Sequence, residues 1–246
     1  MKFLMEKFRS ERCVAVMFVI IQAFCLFTLV YSAIQNNVQS ILLCAVEILV
    51  LLWLPWIFER IFAITLSNFL KIVLLIFCIA GPILGAVYHL YQIIPFWDLL
   101  LHTLNGFLFA HIGLNLLYEF NKKKNYSSIY AVALASAFCF SMTIGVLWEF
   151  FEHGMDVFFK TDMQNDSIVY DIYSYYLGGG LGQTGSINGI TETIINGTAL
   201  NFEGYLDIGL LDTMSDMLVN FIGACVFLVV DIVFLRKRRT PLGSDI

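Results

Sequence analysis

Charge is what this sequence has least of. Charged residues are 13% of the chain and apolar residues 59%, against about 25% and about 45–50% in soluble domains. That balance excludes an ordinary water-soluble globule. The basic residues sit in short clusters between apolar runs, without a basic domain, which excludes a nucleic-acid footprint. All six cysteines (Cys13, Cys25, Cys44, Cys78, Cys139 and Cys225) fall inside apolar runs, and none has CxxC or Cys/His spacing. They read as small buried hydrophobes, not as a disulfide framework or a zinc knuckle. No GxxxxGK[ST] occurs and no strand precedes the LGGGLG at 177–182, so a phosphate cradle is excluded there. The first apolar run, 13–34, outlasts the roughly 7–15 residues of a signal-peptide core and lacks a small-x-small cleavage site. It reads as a retained span. No internal repeat and no soluble domain separates out, so 1–246 is expected to be one integral membrane domain.

What is present is a series of uncharged runs long enough to cross a bilayer. Six transmembrane helices are predicted, at 13–34, 40–58, 69–90, 98–120, 129–151 and 212–235, in an all-α polytopic fold. Gly81, Pro82 and Gly85 predict a kink or a close helix contact in the third span. Tyr88, Tyr91, Phe96 and Trp97 read as an interfacial aromatic belt. Residues 157–211 form a polar, glycine-rich loop with at most short strands or an interfacial helix near 168–176. Its length suits a lid. Thirteen of the 14 Lys and Arg fall in segments on one side of the six-span arrangement; Lys160 alone falls on the other. The positive-inside rule then puts both termini in the cytoplasm and the long loop outside.

That orientation gathers three polar clusters at one end. Span five closes on GVLWEFFEHGMD at 145–156, where Glu149, Glu152, His153 and Asp156 follow helical spacing on one face. Span four opens with Asp98 and His102 one turn apart, and span six with Asp212 and Asp216, Asn220 lying a turn deeper. If the three helices pack together, six carboxylates and two imidazoles converge with no Lys or Arg among them. Like charges held close in a partly apolar site cannot all stay ionised without protonation, water or a cation. Carboxylate oxygen with imidazole nitrogen suits Zn²⁺, Mn²⁺ or Fe²⁺, and an all-oxygen subset suits Mg²⁺ or Ca²⁺. A divalent metal held by some of Asp98, His102, Glu149, Glu152, His153, Asp212 and Asp216 is therefore expected. Taken singly, Asp98 and Asp212 also read as helix N-caps, and His153 and Asp156 as solvated surface groups. Glu149, directly after an uncharged run, has no such simple reading. Glu47 joins this pocket or bonds a neighbouring helix; His111 and Asn115 read as interhelical hydrogen-bonding residues.

These residues also carry a resemblance. WDLLLHTLNG at 97–106, WEFFEH at 148–153, and Asp212-Thr213, Asp216-Met217, Asn220 and Gly223-Ala224 resemble the YjdF-like bacterial membrane proteins. A helix with Asp and His, a helix with Glu, and a helix with D-x-x-x-N-x-x-G is more distantly similar to VanZ-like proteins, which are associated with glycopeptide resistance. The Glu-rich, His-bearing fifth span departs from that second pattern. The resemblance implies a bacterial cytoplasmic membrane and groups the same three clusters; it implies no defined activity.

Three functions fit. The first is a metal-dependent hydrolase or transferase acting on a lipid or lipid-linked substrate at the outer leaflet, with Glu149 or Glu152 as general base. The second is a cation- or proton-coupled transporter, although polar residues are sparse in the inner halves of spans four to six. The third is a structural membrane protein whose polar cluster holds three helices together.

Overall fold

A computed structural model describes residues 11–120 and 130–235. The basic residues counted at 2–9, 122–124 and 236–239 lie outside the described residues. Six helices among the described residues are long and apolar enough to cross a membrane.

Helix α1 (Arg12–Ile34) turns at Asn36 into α2 (Val38–Leu49), whose first turn is capped by Asn37 Oδ1 accepting from Ser40 N at 3.1 Å. The second span, expected at 40–58, is not one continuous helix. It breaks at Val50, passes through a 3-10 turn (Leu51–Trp53) and resumes as α3 (Leu54–Phe62). Pro55 explains the restart, since in a first helical turn its missing N–H costs nothing.

Ser67 caps α4 (Asn68–Ile79). That helix widens into a π-helical segment, Ala80–Val87, which holds Gly81, Pro82 and Gly85. The predicted irregularity is there, and its cause is Pro82, which cannot supply the N–H of an α-helical bond. A close contact is there too. The Tyr91 ring, on the short helix α5 (Leu90–Ile93), fills the space a Cβ at Gly85 would need.

Helices α6 (Trp97–Phe120), α7 (Tyr130–Phe159) and α8 (Leu210–Val230) pack against one another as a second group. At about 1.5 Å per residue the 30-residue α7 is about 45 Å long. It exceeds a roughly 30 Å hydrocarbon core and runs eight residues past the end expected for the fifth span. An apolar core of Val14, Phe18, Ile21, Cys25, Cys44 and Leu75 holds the first three spans, and Ala110, Leu114, Ala137, Ala224 and Phe227 hold the last three. Ile64, Leu66 and Leu70 join the halves by packing on Leu108, Ile112 and Leu116 of α6.

The segment between α7 and α8 adds β-structure to a chain expected to be all-α. Strand β1 (Ile168–Val169) pairs antiparallel with β6 (Tyr205–Leu206), β2 (Ile172–Ser174) with β3 (Gly185–Ile187), and β4 (Ile194–Ile195) with β5 (Thr198–Ala199). Asn196-Gly197, both at positive φ, makes the two-residue turn of the last hairpin. The interfacial helix offered as an alternative near 168–176 is absent. Strands and a 3-10 turn (Tyr175–Leu177) stand there instead, consistent with the Ile/Val/Tyr content of that stretch.

Lys71, one of the thirteen basic residues on the side expected to be cytoplasmic, is fully buried. Its Nζ bonds Glu11 at 2.7 Å and Glu59 at 2.8 Å, while Glu59 also accepts from Leu66 N at 2.8 Å. Its charge is spent inside the fold, tying the start of α1 to the α3–α4 turn. Glu47 is buried in the first group of helices, away from α6–α8, and its two oxygens have no hydrogen-bond partner among the described residues.

Candidate metal centre

Three glycines let the second group of helices close up. A Cβ at Gly106 would overlap the Asn220 carbonyl, one at Gly223 the Thr103 carbonyl, and one at Gly145 would stand 2.7 Å from Asn220 Nδ2. With no side chain in the way, the backbones of α6 and α8 touch, as small residues allow in membrane interfaces. Asn105 Nδ2 donates to Asn220 Oδ1 at 2.8 Å, and Ser141 Oγ donates to the Gly106 carbonyl at 2.7 Å. These bonds fix the rotation of all three helices one turn below the acids.

On α7 the buried positions are Ala133, Leu134, Ala137, Ser141, Gly145, Glu149 and Glu152. At about 100° per residue this stripe leads Glu149 and Glu152 inward from the last turns of the span. His102, buried on α6, lies between them and α8. Its Nδ1 is 3.6 Å from Glu149 Oε1; its Nε2 is 3.6 Å from Asp98 Oδ1 and 3.7 Å from Asp216 Oδ2. Two groups can each hold a cation: Asp98, His102 and Asp216, and His102, Glu149 and Glu152. Asp216 is 1% exposed and Glu149 4%, yet none of their four oxygens has a hydrogen-bond partner among the described residues. The Thr213 hydroxyl lies towards Glu149 without reaching hydrogen-bonding geometry. Buried acceptors without partners are costly, and here they face one imidazole across gaps slightly too wide for direct bonds.

Of the residues expected at the site, the structure brings Asp98, His102, Glu149, Glu152 and Asp216 together. It sets His153 and Asp212 outside both groups. His153 follows Glu152 by one position, which rotates it out of the buried stripe; it is exposed, with Nδ1 3.1 Å from Gln164 Oε1. Asp212 lies a full turn above Asp216, where the 160–209 segment meets the bundle, and its Oδ2 accepts from Asn165 N at 3.0 Å. Asp156 likewise serves that segment, accepting from Thr161 Oγ1, Met163 N and Gln164 N at 2.7–2.8 Å. Acids at the ends of helices meet loop amides first, whatever face they share with deeper residues.

Two residues outside the expected set bear on the site. Trp148 Nε1 donates to Glu152 Oε1 at 2.8 Å, steering that carboxylate. Such outer hydrogen bonds typically change metal affinity 10–100-fold. Trp148→Phe is therefore expected to weaken Zn²⁺ binding roughly tenfold, read by titration of the purified protein; unchanged affinity would remove Glu152 from the ligand set. The second is Tyr91, read above as an interfacial aromatic. Its ring packs against Gly81 and Gly85, and its phenol is pushed up by burial and then by the charges of Asp98, Glu152, Asp216 and Asp212. The signal for it was the Gly81/Gly85 pair, which makes the slot for its ring. Two other members of that aromatic set bond inward, Tyr88 Oη pairing with Thr28 Oγ1 at 3.1 Å and Trp97 Nε1 donating to the Ala80 carbonyl at 3.1 Å, while Phe96 is exposed.

The model of the family described as predicted membrane protein (DUF2238) matches residues 17–237. The chain belongs to that family. No curated protein and no solved structure matches this DUF2238 chain. The family match supports a multi-pass membrane protein with a lipid bilayer around it. The VanZ-like likeness finds no support in the comparisons.

Below the acids the DUF2238 bundle packs an apolar layer. Phe227 packs edge-on against Phe107 and His111, within the core of Ala110, Leu114 and Ala224. His111 and Asn115 bond each other at 3.0 Å beneath this layer and line a separate cavity of about 340 Å³ with Ile64, Thr65, Ser67 and Tyr118. Asp231 accepts from Tyr130 Oη at 3.0 Å.

Proposed function

We propose that this protein is a membrane-embedded hydrolase or transferase that uses a divalent cation against a lipid or lipid-linked substrate. The cation is held at the end of the bundle from which the 160–209 segment emerges. The observation that carries the reading is the convergence of three helices' carboxylates on His102, with every oxygen of Glu149 and Asp216 buried and unpartnered. A divalent ion offsets like charges that nothing else nearby offsets: no Lys or Arg occurs at 72–121 or 161–235, nor at 125–159.

Two ligands about 2.1 Å from one tetrahedral ion stand about 3.4 Å apart. The 3.6 and 3.7 Å gaps around His102 suit that spacing better than they suit direct hydrogen bonds. Asp98, His102 and Asp216 would hold the ion. Glu149 or Glu152, beyond the other ring nitrogen, would take the proton of an attacking water while the ion polarises a phosphoryl or acyl oxygen. The positive-inside pattern supports cytoplasmic termini, so the site faces the outer leaflet of what the YjdF-like resemblance makes a bacterial cytoplasmic membrane. The long outer segment then acts as a lid. The apolar packing around Phe227 supports chemistry over transport, because it interrupts the polar groups between the acids and the opposite end of the bundle.

The test is release of phosphate or acyl product from bacterial lipid extract by Zn²⁺- or Mn²⁺-loaded protein in liposomes. Release is expected to stop with chelator and to fall at least ~100-fold in Glu149→Gln, the lower range for general-base catalysis. Absence of product with either ion overturns the enzymatic reading, and cation flux in the same vesicles would install the transporter in its place.

A further inference from the structure

We infer that the site holds two divalent cations rather than one, on opposite edges of the His102 ring. The inference rests on the metal-dependent reading above and specifies its stoichiometry.

The ring divides the acids into two sets. Asp98 and Asp216 face Nε2, and Glu149 faces Nδ1 with Glu152 beside it. Each set contains a carboxylate that is more than nine-tenths buried, with both oxygens unpartnered: Asp216 in the first and Glu149 in the second. One ion cannot serve both, because the two ring nitrogens direct their lone pairs away from each other. An ion at Nε2 would leave Glu149 buried and unanswered, at a cost comparable to any unpaired buried charge.

Charge leads to the same count. One divalent ion among four carboxylates and a neutral imidazole leaves two net negative charges. A second ion at Nδ1 displaces the remaining ring proton to solvent water, since a neutral imidazole has only one free lone pair. His102 then bridges as an imidazolate, and the set carries one net negative charge. Glu152 keeps its bond from Trp148 through Oε1 and offers its other oxygen. Glu149 can ligate through one oxygen and accept a proton from ion-bound water through the other, so its role as base survives the second ion.

The experiment is a metal count on detergent-purified full-length protein, stripped with chelator, reloaded with Zn²⁺ and freed of excess. Two Zn²⁺ per chain are expected in the wild type, and one in each of Asp216→Asn and Glu149→Gln. A wild-type count of one overturns the second site while leaving the metal-dependent reading intact; a count of zero overturns both. The wild-type count needs no variant to fold.

Discussion

His102→Ala is expected to abolish stoichiometric cation binding. It removes the one nitrogen donor that both groups share, and it leaves Asp98, Glu149, Glu152 and Asp216 facing a void. Loss of a neighbour that merely orients a ligand already costs 10–100-fold in affinity, so loss of the shared ligand should cost at least ~100-fold. The protein's own stability reports this. A cation at about 100 times its Kd stabilises a folded state by about 2.7 kcal/mol, so Zn²⁺ should raise the unfolding temperature of the wild type and leave that of His102→Ala unmoved. His111→Ala is the control: His111 lies beneath the apolar Phe227 layer, bonded to Asn115, and its loss should preserve the Zn²⁺ response. Equal Zn²⁺ responses in the wild type and His102→Ala would dismiss the centre.

Gly223→Val should open the bundle. Even a Cβ at this position overlaps the Thr103 carbonyl, and that obstacle is backbone on a facing helix, not a side chain that can turn away. Relief requires α6 and α8 to separate, which also pulls Asn220 from Asn105. Overpacking costs about 1–3 kcal/mol, occasionally more; a branched side chain against backbone belongs at the upper end, about 3 kcal/mol. Thermal unfolding in detergent measures it, and Zn²⁺ binding should fall in parallel because the same contact sets the distance from His102 to Asp216. Gly154→Ala makes the contrast. Nothing lies within 4 Å of a Cβ there, and the helix gains the roughly 1 kcal/mol by which Ala exceeds Gly. Similar unfolding temperatures for Gly223→Val and the wild type would mean the helices are not held at backbone contact.

The two variants divide what was readable in the sequence from what was not. The spans could be read because apolar runs of that length have one low-energy solution in a bilayer, and the glutamates of α7 because helical spacing follows from chain order. Only helix rotation and backbone approach could tell Glu152 from His153, its neighbour in sequence, or Asp216 from Asp212 one turn away. The Asn196-Gly197 turn is legible in the sequence, because that dipeptide favours a two-residue hairpin. The partners of Lys71 and Tyr91, Glu11 and Glu59 for the one and the Gly81–Gly85 slot for the other, are not legible in the sequence because packing fixes them.

By itself, then, the sequence determined that the protein lives in a membrane as six helices, and that acid and imidazole gather at one end of the last three. Periodicity and hydropathy are properties of the chain alone, which is why that much followed without coordinates. The tertiary structure decided which five side chains meet, through three glycines that bring backbones into contact and two asparagines that lock the helices in register. About 100° of rotation about the helix axis separates buried Glu152 from exposed His153, and only contacts between helices fix which of the two turns inward.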